Sequence, residues 1–586
     1  MSSRRDFMKW SLVTGGATLA GLGLLKSAAF SQTPLDPVCP ILPQPLPGTD
    51  PMPLAEGLQG MPGGHSPATT PWVEPLPIPP ILQQVGSLNP PVDSNWQVNH
   101  QMNRGWGSDP GPLNELYDVH IKPGMHSFHP ELPTQEVWGF EGIVPGPTLI
   151  SRYGHPKIVR FHNDLPINHV GIGVPETSTH NHNGHQESYS DGHPTNIVYS
   201  GQYRDHHYPI ILAGDDPREA LGTLWYHDHR FDFTSQNVYR GLAGFHLQFD
   251  DIDSGNEQDP NPQALRLPSG AFDIPLMFTD KAFDNNGIAW FDPFNFDGFL
   301  GDKWLVNGKI QPYLKVARRK YRFRMLDGGP SRVWGFALSN AAPMTLIATD
   351  GNLLPAPVLV DEVAMGVAQR RDVVIDFSQY PIGTEIILEN VAEQRDGRMP
   401  TGRRLLPGSP VLRFIVDRDA VGAEQDFSQV PLSLRQMPDM DLATAQQHQR
   451  SFIFERRNGA WAINGNFYDG EIPTFTVKQG QPEIWTLKNG GGGWVHPIHI
   501  HLEESRILLR NGGLPGPEDQ GRHDVILIGP GEEVKIYIRF RTFLGKYVMH
   551  CHNTLHEDHA MMLRFDVVPR GKVQVASCEW QVAGTS

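Results

Sequence analysis

Near its C-terminus the chain reads His550-Cys551-His552-Asn553-Thr554-Leu555-His556, and Met561 follows five residues later. A thiolate, imidazoles and a weak thioether together are the ligands of an electron-transfer copper site. Successive side chains of a β-strand point to opposite faces, so Cys551 should face one metal site while its two histidine neighbours face another. The stretch therefore predicts two metal centres joined through the backbone of a single cysteine.

Three other histidine clusters can supply the second centre. They are His180-Asn181-His182, His227-Asp228-His229 and His496-Pro497-Ile498-His499-Ile500-His501. A spacing of two residues places both imidazoles of a pair on one face of a strand, where they can hold adjacent metal ions. Pro497 is expected to interrupt the strand ladder and so to release His496 toward the site of Cys551. Each pair alone would fit a polar strand face, but the four motifs together favour copper binding.

One pattern of turns and strands occurs three times along the chain. Each copy opens on a glycine turn and closes on a glycine before an apolar strand. The opening glycines are Gly142, Gly308 and Gly465, and the closing glycines are Gly222, Gly383 and Gly545. Five and seven residues after the closing glycine come two histidines in the outer copies, but Leu388 and Asn390 in the middle copy. The repeat predicts three related β-sandwich domains, with the second metal centre between the first and the third.

Length, composition and charge limit the function classes. The 586 residues predict three or four domains, and 60 glycines with 53 prolines favour β-structure with many turns. The formal net charge of −16 argues against a nucleic-acid partner. We find no stretch suited to a stable membrane span, and we expect a monomer.

The N-terminus carries an export signal rather than part of the fold. Arg4-Arg5-Asp6-Phe7-Met8-Lys9 is a twin-arginine pattern, a modestly apolar stretch follows, and Ala29-Phe30-Ser31 offers a cleavage site. This pattern predicts export across a bacterial inner membrane, to the periplasm or the exterior. In such an oxidising location Cys39 and Cys578 can form a disulfide, although two free thiols are an equally good interpretation.

The chain resembles the multicopper oxidases, and among them the spore-coat laccase and bilirubin oxidase group. Besides the histidine motifs, the resemblance rests on Leu76-Pro77-Ile78-Pro79-Pro80, Trp138-Gly139-Phe140 with Pro145-Gly146-Pro147, Leu224-Trp225-Tyr226, and Lys320-Tyr321-Arg322-Phe323-Arg324. It covers nearly all of the chain beyond the export signal. The resemblance implies an all-β protein of three cupredoxin-like Greek-key β-sandwich domains that holds four copper ions, one of type 1, one of type 2 and two of type 3.

The ligand roles of this family transfer residue by residue. The resemblance assigns Cys551, His496 and His556 to the type 1 copper, with Met561 rather than Met562 as the axial neighbour. It assigns His180 and His499 to the type 2 copper, His182, His227 and His552 to one type 3 copper, and His229, His501 and His550 to the other. One departure is Asn183, which follows the first histidine pair where the family usually has glycine. This residue could shift the loop that follows but removes no ligand.

The export signal, the Pro- and Gly-rich composition and the repeat divide the chain into five segments, for which the resemblance supplies the fold name. These are a signal peptide (1–31), a Pro- and Gly-rich arm (32–95), a first cupredoxin-like domain (96–255), a second without copper ligands (256–425) and a third with the type 1 copper (426–586). Within the arm, Met61 and His65 are interpreted as parts of a solvated linker. Five histidines outside the motifs are expected at the surface or in hydrogen bonds, namely His185, His193, His206, His207 and His523.

The resemblance implies an enzyme whose partners are a small-molecule reductant and dioxygen. The leading interpretation is a laccase-like oxidase of phenols and aromatic amines that reduces dioxygen to water. Asp191 and Glu557 match the family's proton-delivery acids, although a turn aspartate and a surface glutamate are the plainer interpretations. The segments Gly490–Gly493 and Asn511–His523 are expected to border the donor site. The alternatives are an oxidase of Cu(I), Mn(II) or Fe(II), and an exported non-enzymatic scaffold or copper store.

Overall fold

The computed structural model describes residue 61, residues 64–88 and residues 114–571. The predicted export signal, Cys39 and Cys578 lie outside these ranges, so their assignments stay predictions. Within the ranges described, no helix is both long enough and apolar enough to cross a membrane.

The first part of the chain forms two facing sheets. Its sheet orders are β1-β2-β5-β9, with β3 beside β2, and β4-β11-β10-β7, and a small sheet pairs β6 with β8. The strands are β1 (Gly86–Leu88), β2 (Asn114–His126), β3 (Gln135–Phe140), β4 (Gly146–Arg152), β5 (Lys157–Asn163), β6 (Glu176–Thr177), β7 (Thr179–His182), β8 (Val198–Tyr199), β9 (Tyr203–Tyr208), β10 (Thr223–Asp228) and β11 (Ala243–Phe249).

The middle part forms a second pair of sheets. Their orders are β15-β14-β12-β17-β22-β19-β20, with β13 beside β12, and β16-β24-β23-β18-β21. The strands are β12 (Asp273–Phe283), β13 (Ala289–Trp290), β14 (Lys303–Val306), β15 (Lys309–Ile310), β16 (Tyr313–Arg318), β17 (Lys320–Asp327), β18 (Trp334–Leu338), β19 (Met344–Thr349), β20 (Asn352–Val360), β21 (Val363–Met365), β22 (Arg370–Asp376), β23 (Glu385–Gln394) and β24 (Pro400–Asp419).

The last part forms a third pair of sheets, with orders β26-β25-β28-β32-β30 and β27-β34-β33-β29-β31. The strands are β25 (Gln449–Arg457), β26 (Ala460–Ile463), β27 (Phe475–Lys478), β28 (Pro482–Asn489), β29 (His496–Ile500), β30 (Arg506–Arg510), β31 (Val525–Ile528), β32 (Glu533–Arg539), β33 (Gly545–Cys551) and β34 (Met562–Val568). Short α-helices in the described ranges are α1 (Thr234–Arg240), α2 (Leu442–Ala445) and α3 (Thr554–Asp558).

The three sheet pairs share one connectivity. One sheet of each domain contains a parallel strand pair: β2 with β5 in the first domain, β12 with β17 in the second, and β25 with β28 in the third. The facing sheet repeats a parallel pair followed by antiparallel partners, as in β4-β11-β10 and β27-β34-β33. The fold is all-β, with three cupredoxin-like β-sandwich domains, and the prediction of the fold class is confirmed.

The opening turn of each repeat has the same backbone conformation. Gly142, Gly308 and Gly465 have φ values of 68°, 79° and 72°, and the residue before each also has positive φ. Two consecutive residues with positive φ form the turn that matches the twist of a hairpin, which explains the glycine in every copy. The repeat in the sequence therefore marks equivalent hairpins in the three domains.

In the middle domain, side chains that pack within the sandwich occupy the two repeat positions that hold histidines in the outer domains. Leu388 on β23 is buried in the core of this domain together with Phe336 and Phe414. Asn390, two residues later, accepts a hydrogen bond from the backbone N–H of Gly335 at 3.0 Å. These side chains stabilise the sandwich and leave no imidazole at this edge.

The arm crosses the surface of two domains. Pro75 bridges to Tyr313 of the middle domain, and Ile81 bridges to Thr148 of the first. His65 is exposed, but Met61 is buried beside Leu555 and Phe299. The interpretation of Met61 as part of a solvated linker is therefore wrong, because its side chain packs into an apolar cluster.

Candidate metal centres

Strand register decides which histidines share a face. On β29 and β33, Ile498 lies opposite Cys551, and His499 lies opposite His550. His496 and His499 are three residues apart, so alternation alone sends them to opposite faces. Pro497 lies inside the ladder, opposite Leu527, and the strand runs through it. The prediction that Pro497 interrupts the ladder is wrong; the odd spacing separates the two histidines.

The first centre, the cysteine site, contains Cys551, His496 and His556. Sγ of Cys551 lies 3.5 Å from Nδ1 of each histidine, and the two Nδ1 atoms are 3.2 Å apart. All three side chains are completely buried. One sulfur and two nitrogens therefore converge on a single point inside the third domain.

The two candidate axial methionines differ in their surroundings. Met561 belongs to the apolar cluster that contains Cys551, and its carbonyl accepts a hydrogen bond from the Cys551 N–H at 3.0 Å. Met562 packs elsewhere, with Tyr468 and Val548. This placement favours Met561 as the axial neighbour, and its role stays a prediction.

The second centre, the histidine cluster, joins the first and third domains. Its eight members are His180, His182, His227 and His229 from the first domain, and His499, His501, His550 and His552 from the third. Nε2 of His180 lies 3.4 Å from Nε2 of His499. His550 Nε2 lies 3.1 Å from Nε2 of His229 and 3.3 Å from Nε2 of His501. The ring nitrogens thus converge within each of two predicted ligand groups. One is the type 2 pair, His180 and His499, and the other is the type 3 trio of His229, His501 and His550.

The other predicted trio is also assembled. The ring centroids of His182, His227 and His552 lie 5.1 to 5.6 Å apart in pairs. Within the described part of the chain, Nε2 of His227 and both ring nitrogens of His552 have no hydrogen-bond partner. A buried, unpaired imidazole nitrogen is costly unless it binds something, and a metal ion meets that requirement.

The histidine rings of both centres are held in the unprotonated form that metal binding requires. Burial lowers the pKa of His180, His499 and His556 well below the ordinary range, and it lowers the pKa of His227 and His496 to about 3. These imidazoles are therefore neutral, which is the form that binds metals. Burial also raises the pKa of the Cys551 thiol, so a thiolate there needs a cation beside it. The nitrogen and sulfur atoms of these side chains and their protonation states fit the binding of copper ions.

Asp191 and Glu557 are both buried and both lie behind ligand histidines. Nδ1 of His501 lies 2.7 Å from the Asp191 carboxyl group, and Nδ1 of His180 donates to the Asp191 carbonyl. The two carboxylate oxygens of Glu557 lie 3.1 Å from Nδ1 of His229 and of His550. Each acid therefore orients rings of the cluster. Glu557 is not a surface residue, so that plainer interpretation is excluded.

The two acids differ in their affinity for a proton. Burial raises the pKa of Asp191 well above its usual range. For Glu557, burial also acts to raise the pKa, but His550 and His229 lower it below the ordinary value. The surroundings of Asp191 thus favour its protonated form, whereas the two histidines beside Glu557 favour the ionised form of that carboxyl group.

The middle domain, which carries none of the predicted copper ligands, also supports the histidine cluster, and no sequence motif indicates this contribution. Arg370 on β22 donates to both oxygens of Asp524 at 2.8 and 3.2 Å and to the Thr223 carbonyl at 3.1 Å. The backbone carbonyl of Asp524 accepts a hydrogen bond from Nδ1 of His499 at 2.9 Å. The side-chain Oδ2 of Asp524 lies 2.7 Å from Nε2 of His182. Arg370 therefore connects the three domains behind two ligands. No motif marks Asp524, because its partners are distant in sequence.

The loop after the first histidine pair tolerates its unusual residue. Asn183 has a φ of 67°, a conformation natural to glycine and accessible to asparagine. Its amide donates to Glu504 of the third domain at 2.8 Å. Asn183 thus adopts a backbone conformation typical of glycine and adds a contact between domains.

A layer of aromatic and charged side chains, here called the cover, lies over the cysteine site. The Trp461 ring is 4.0 Å from His556 and 5.2 Å from Trp494. Asp297 accepts hydrogen bonds from Arg398, Arg456 and the Trp494 indole at 2.8 to 3.2 Å. Both guanidinium groups also lie over the Trp494 ring, at 5.0 and 5.8 Å. Neither His496 nor His556 is exposed beneath the cover.

The segments expected to border the donor site have different surroundings. Gly490–Gly493 leads directly into Trp494 of the cover. Asn511–His523 ends against the middle domain, where His523 Nδ1 lies 3.0 Å from Asp350. The border of the donor site stays a prediction for both.

The five histidines outside the motifs are buried rather than at the surface. Hydrogen bonds account for several of them, as in His185 with Thr542 at 3.0 Å and His193 with Thr195 at 2.9 Å. The hydrogen-bonding interpretation thus fits these two better than the surface one.

Comparison with known proteins agrees with this geometry. Two sequence profiles described as multicopper oxidase match residues 123–249 and 434–571. Bilirubin oxidase of Albifimbria verrucaria is 34% identical over 86% of this chain and 82% of its own length. A laccase of Bacillus subtilis is 30% identical over 77% of this chain and 94% of its own. The crystal structure of a laccase from Pediococcus acidilactici shares the fold, with a TM-score of 0.69, 24% identity and coverage of 88% and 98%.

The chain belongs to the multicopper oxidase family. It is an oxidoreductase of laccase type that acts with dioxygen and a small-molecule substrate, and it uses copper. The predicted resemblance to the spore-coat laccase and bilirubin oxidase group is confirmed.

Proposed function

We propose that the protein binds four copper ions and oxidises aromatic donors, phenols and aromatic amines, while it reduces dioxygen to water. The cysteine site would hold the type 1 ion, and the histidine cluster would hold the type 2 ion and the type 3 pair. When bound, copper supplies one-electron oxidation at the first centre and dioxygen reduction at the second. The observation that carries the proposal is the position of Cys551 between His550 and His552, with its side chain in one centre and theirs in the other.

The protein residues divide the remaining tasks. The Cys551 backbone forms the shortest covalent path between the two centres. Asp191 and Glu557 orient the ligand rings and can hold protons beside the histidine cluster, where a reaction that makes water consumes them. Burial of both carboxyls excludes bulk water from these positions.

The cover favours aromatic donors over metal ions. Fe(II) and Mn(II) would need carboxylate oxygens near the cysteine site. Asp297 is the carboxylate in the cover, and two arginines and an indole N–H already use its oxygens. The cover also has one more positive than negative charge among these residues, which repels cations. Trp494 contacts Trp461 edge to face, and Trp461 lies against His556, so two buried indoles lead from the arginines of the cover to this ring.

The charge of the cover further favours donors that carry a carboxylate. Arg398 and Arg456 keep 35% and 36% of their side chains exposed, so they can meet an anionic group from solvent. The similarity to a bilirubin oxidase fits a donor of this kind. A metal oxidase stays the second candidate, since its donors would reach the same surface.

Oxygen uptake with a panel of donors tests the proposal. The panel contains a phenol, the same phenol with a carboxylate, bilirubin, Cu(I), Mn(II) and Fe(II). We expect uptake with the aromatic donors and the lowest KM for the carboxylated ones. Faster turnover of any of the three metal ions than of every aromatic donor would contradict the assignment, and no uptake by a copper-loaded, blue preparation would favour the scaffold or store.

We further infer that the protein is exported as a monomer by the twin-arginine route to the periplasm or beyond. The ordered Arg4-Arg5-Asp6-Phe7-Met8-Lys9 pattern supports this proposal. A variant of the protein in which lysine replaces both Arg4 and Arg5 should stay in the cytoplasm.

A further inference from the structure

We propose that the outer face of the first domain carries a separate binding site for a divalent transition-metal ion, formed by Asp118, His120 and His162. Asp118 and His120 lie on β2, and His162 lies on the neighbouring parallel strand β5, directly opposite His120. One potential ligand atom of each residue lies within 4.8 Å of the other two. None of the three belongs to the cysteine site or to the histidine cluster, so the site is additional to the oxidase centres.

Carboxylates hold both imidazole rings in place. The rings of His120 and His162 stack with their centroids 4.5 Å apart and an interplanar angle of 8°. His162 Nε2 lies 2.7 Å from Asp118, and His120 Nδ1 lies 2.5 Å from Asp164. A carboxylate on one ring nitrogen fixes the ring and makes the other nitrogen a better ligand, an arrangement common in metal sites. Asp164 plays this part for His120 and leaves Nε2 of that ring for the ion.

The charges of the site favour a cation. Arg160, two residues before His162, is held by Asp205 through two hydrogen bonds of 2.7 and 2.9 Å, so its charge is balanced. The carboxylates of Asp118 and Asp164 remain beside two imidazoles.

The ligand types select the class of ion. Imidazole with carboxylate suits Cu(II), Zn(II) or Ni(II), whereas Mg(II) and Ca(II) prefer oxygen ligands alone. Between 25% and 39% of each of the three side chains is exposed, so an ion can enter directly from solvent. Three protein ligands leave positions for water, and we expect the ion to exchange readily.

The test measures metal binding to the copper-loaded enzyme after dialysis against a weak chelator. CuCl2 is titrated, and bound copper is counted by equilibrium dialysis with elemental analysis. We expect about one further Cu(II) per chain relative to a variant with His120→Gln and His162→Gln. Electron paramagnetic resonance of the added ion should show a tetragonal signal with nitrogen coupling, and the double variant should lack that signal. Zn(II) should compete for the same ion position.

A matched control uses another exposed imidazole–carboxylate pair of the same domain. His155 lies 3.6 Å from Glu115, and 61% of its side chain is exposed. His155→Gln should keep the additional copper, and Asp118→Asn should weaken its binding. Oxygen uptake should be unchanged in all these variants, which verifies that they fold. Equal copper uptake and equal spectra for the parent and the double variant would overturn the proposal.

Discussion

His180 of the first domain and His499 of the third face each other with their Nε2 atoms 3.4 Å apart. The opposite nitrogen of each ring donates to a backbone carbonyl, that of Asp191 for His180 and that of Asp524 for His499. Both rings are therefore oriented by the protein before a metal ion binds. Because four ligands come from each domain, metal binding should also hold the two domains together.

Copper removal should lower the melting temperature of the whole protein. A ligand that binds only the folded state at a hundred times its Kd stabilises that state by about 2.7 kcal/mol. Calorimetry of copper-loaded and copper-depleted protein measures the effect. Cys551→Ser serves as the control, because its missing ion bridges no domains and should change the melting temperature less. Identical melting of loaded and depleted protein would contradict a role of the histidine cluster in joining domains.

Cys551→Ser should reduce phenol oxidation to background while the histidine cluster keeps its copper. Loss of the thiolate removes both a ligand of the first centre and the path to the second. Blue absorption, copper analysis and oxygen uptake measure the three consequences. Met562→Leu is the matched control, since this neighbouring methionine packs away from the site. The proposed path is wrong if the serine variant still turns over phenol.

Arg370→Lys should weaken copper binding or activity by about 10- to 100-fold, the usual cost of losing a group that orients a ligand. Lysine keeps the charge but cannot bind Asp524 and the Thr223 carbonyl with a planar fork. The electron paramagnetic resonance signal of the type 2 ion should change as well. Arg319→Lys removes another completely buried guanidinium of the middle domain, bound to Glu257, without contact to Asp524. Similar spectra for the two variants would refute a specific role for Arg370.

Arg398→Gln should raise the KM for a carboxylated phenol about fivefold and leave that for its neutral methyl ester unchanged. Such a change corresponds to roughly 1 kcal/mol, the value expected for a partly exposed ion pair. Steady-state oxygen uptake at low salt measures both donors. Arg403→Gln, which removes an exposed arginine that binds Glu393, should alter neither KM. Equal effects on the acid and on the ester would exclude charge recognition by the cover.

Lys281→Met should stabilise the protein most at neutral and lower pH. Burial lowers the pKa of Lys281 to about 7, whereas an unfolded lysine titrates near 10.4. Between these values the unfolded chain binds the extra proton, so the stability of the parent rises with pH from about 7 upward. The difference in melting temperature between variant and parent should therefore be largest at pH 6 and decrease toward pH 9. Exposed Lys315→Met should show no such trend, and a constant difference for Lys281→Met would contradict the shifted pKa.

The sequence by itself determined which residue types can serve as metal ligands and on which faces of the strands these side chains lie. Alternation along a strand is local, so the order of His550, Cys551 and His552 is enough to divide these side chains between two centres. The turn glycines and the repeat are also local features of the sequence, and they were enough to predict three β-sandwich domains. Pro497 was predicted wrongly: it stays within the ladder, because β29 retains its pairing with β31.

Only the tertiary structure decided which groups surround those ligands. Asp524 and Arg370 are 154 residues apart, and Asp297 lies 101 residues from Arg398. These contacts depend on how whole domains pack against each other, and such packing produces no regular spacing of residues from which the contacts could be predicted. The chain thus encodes its candidate metal ligands in short motifs, whereas the fold brings together the acids behind them, the arginine that holds Asp524 and the cover over the cysteine site.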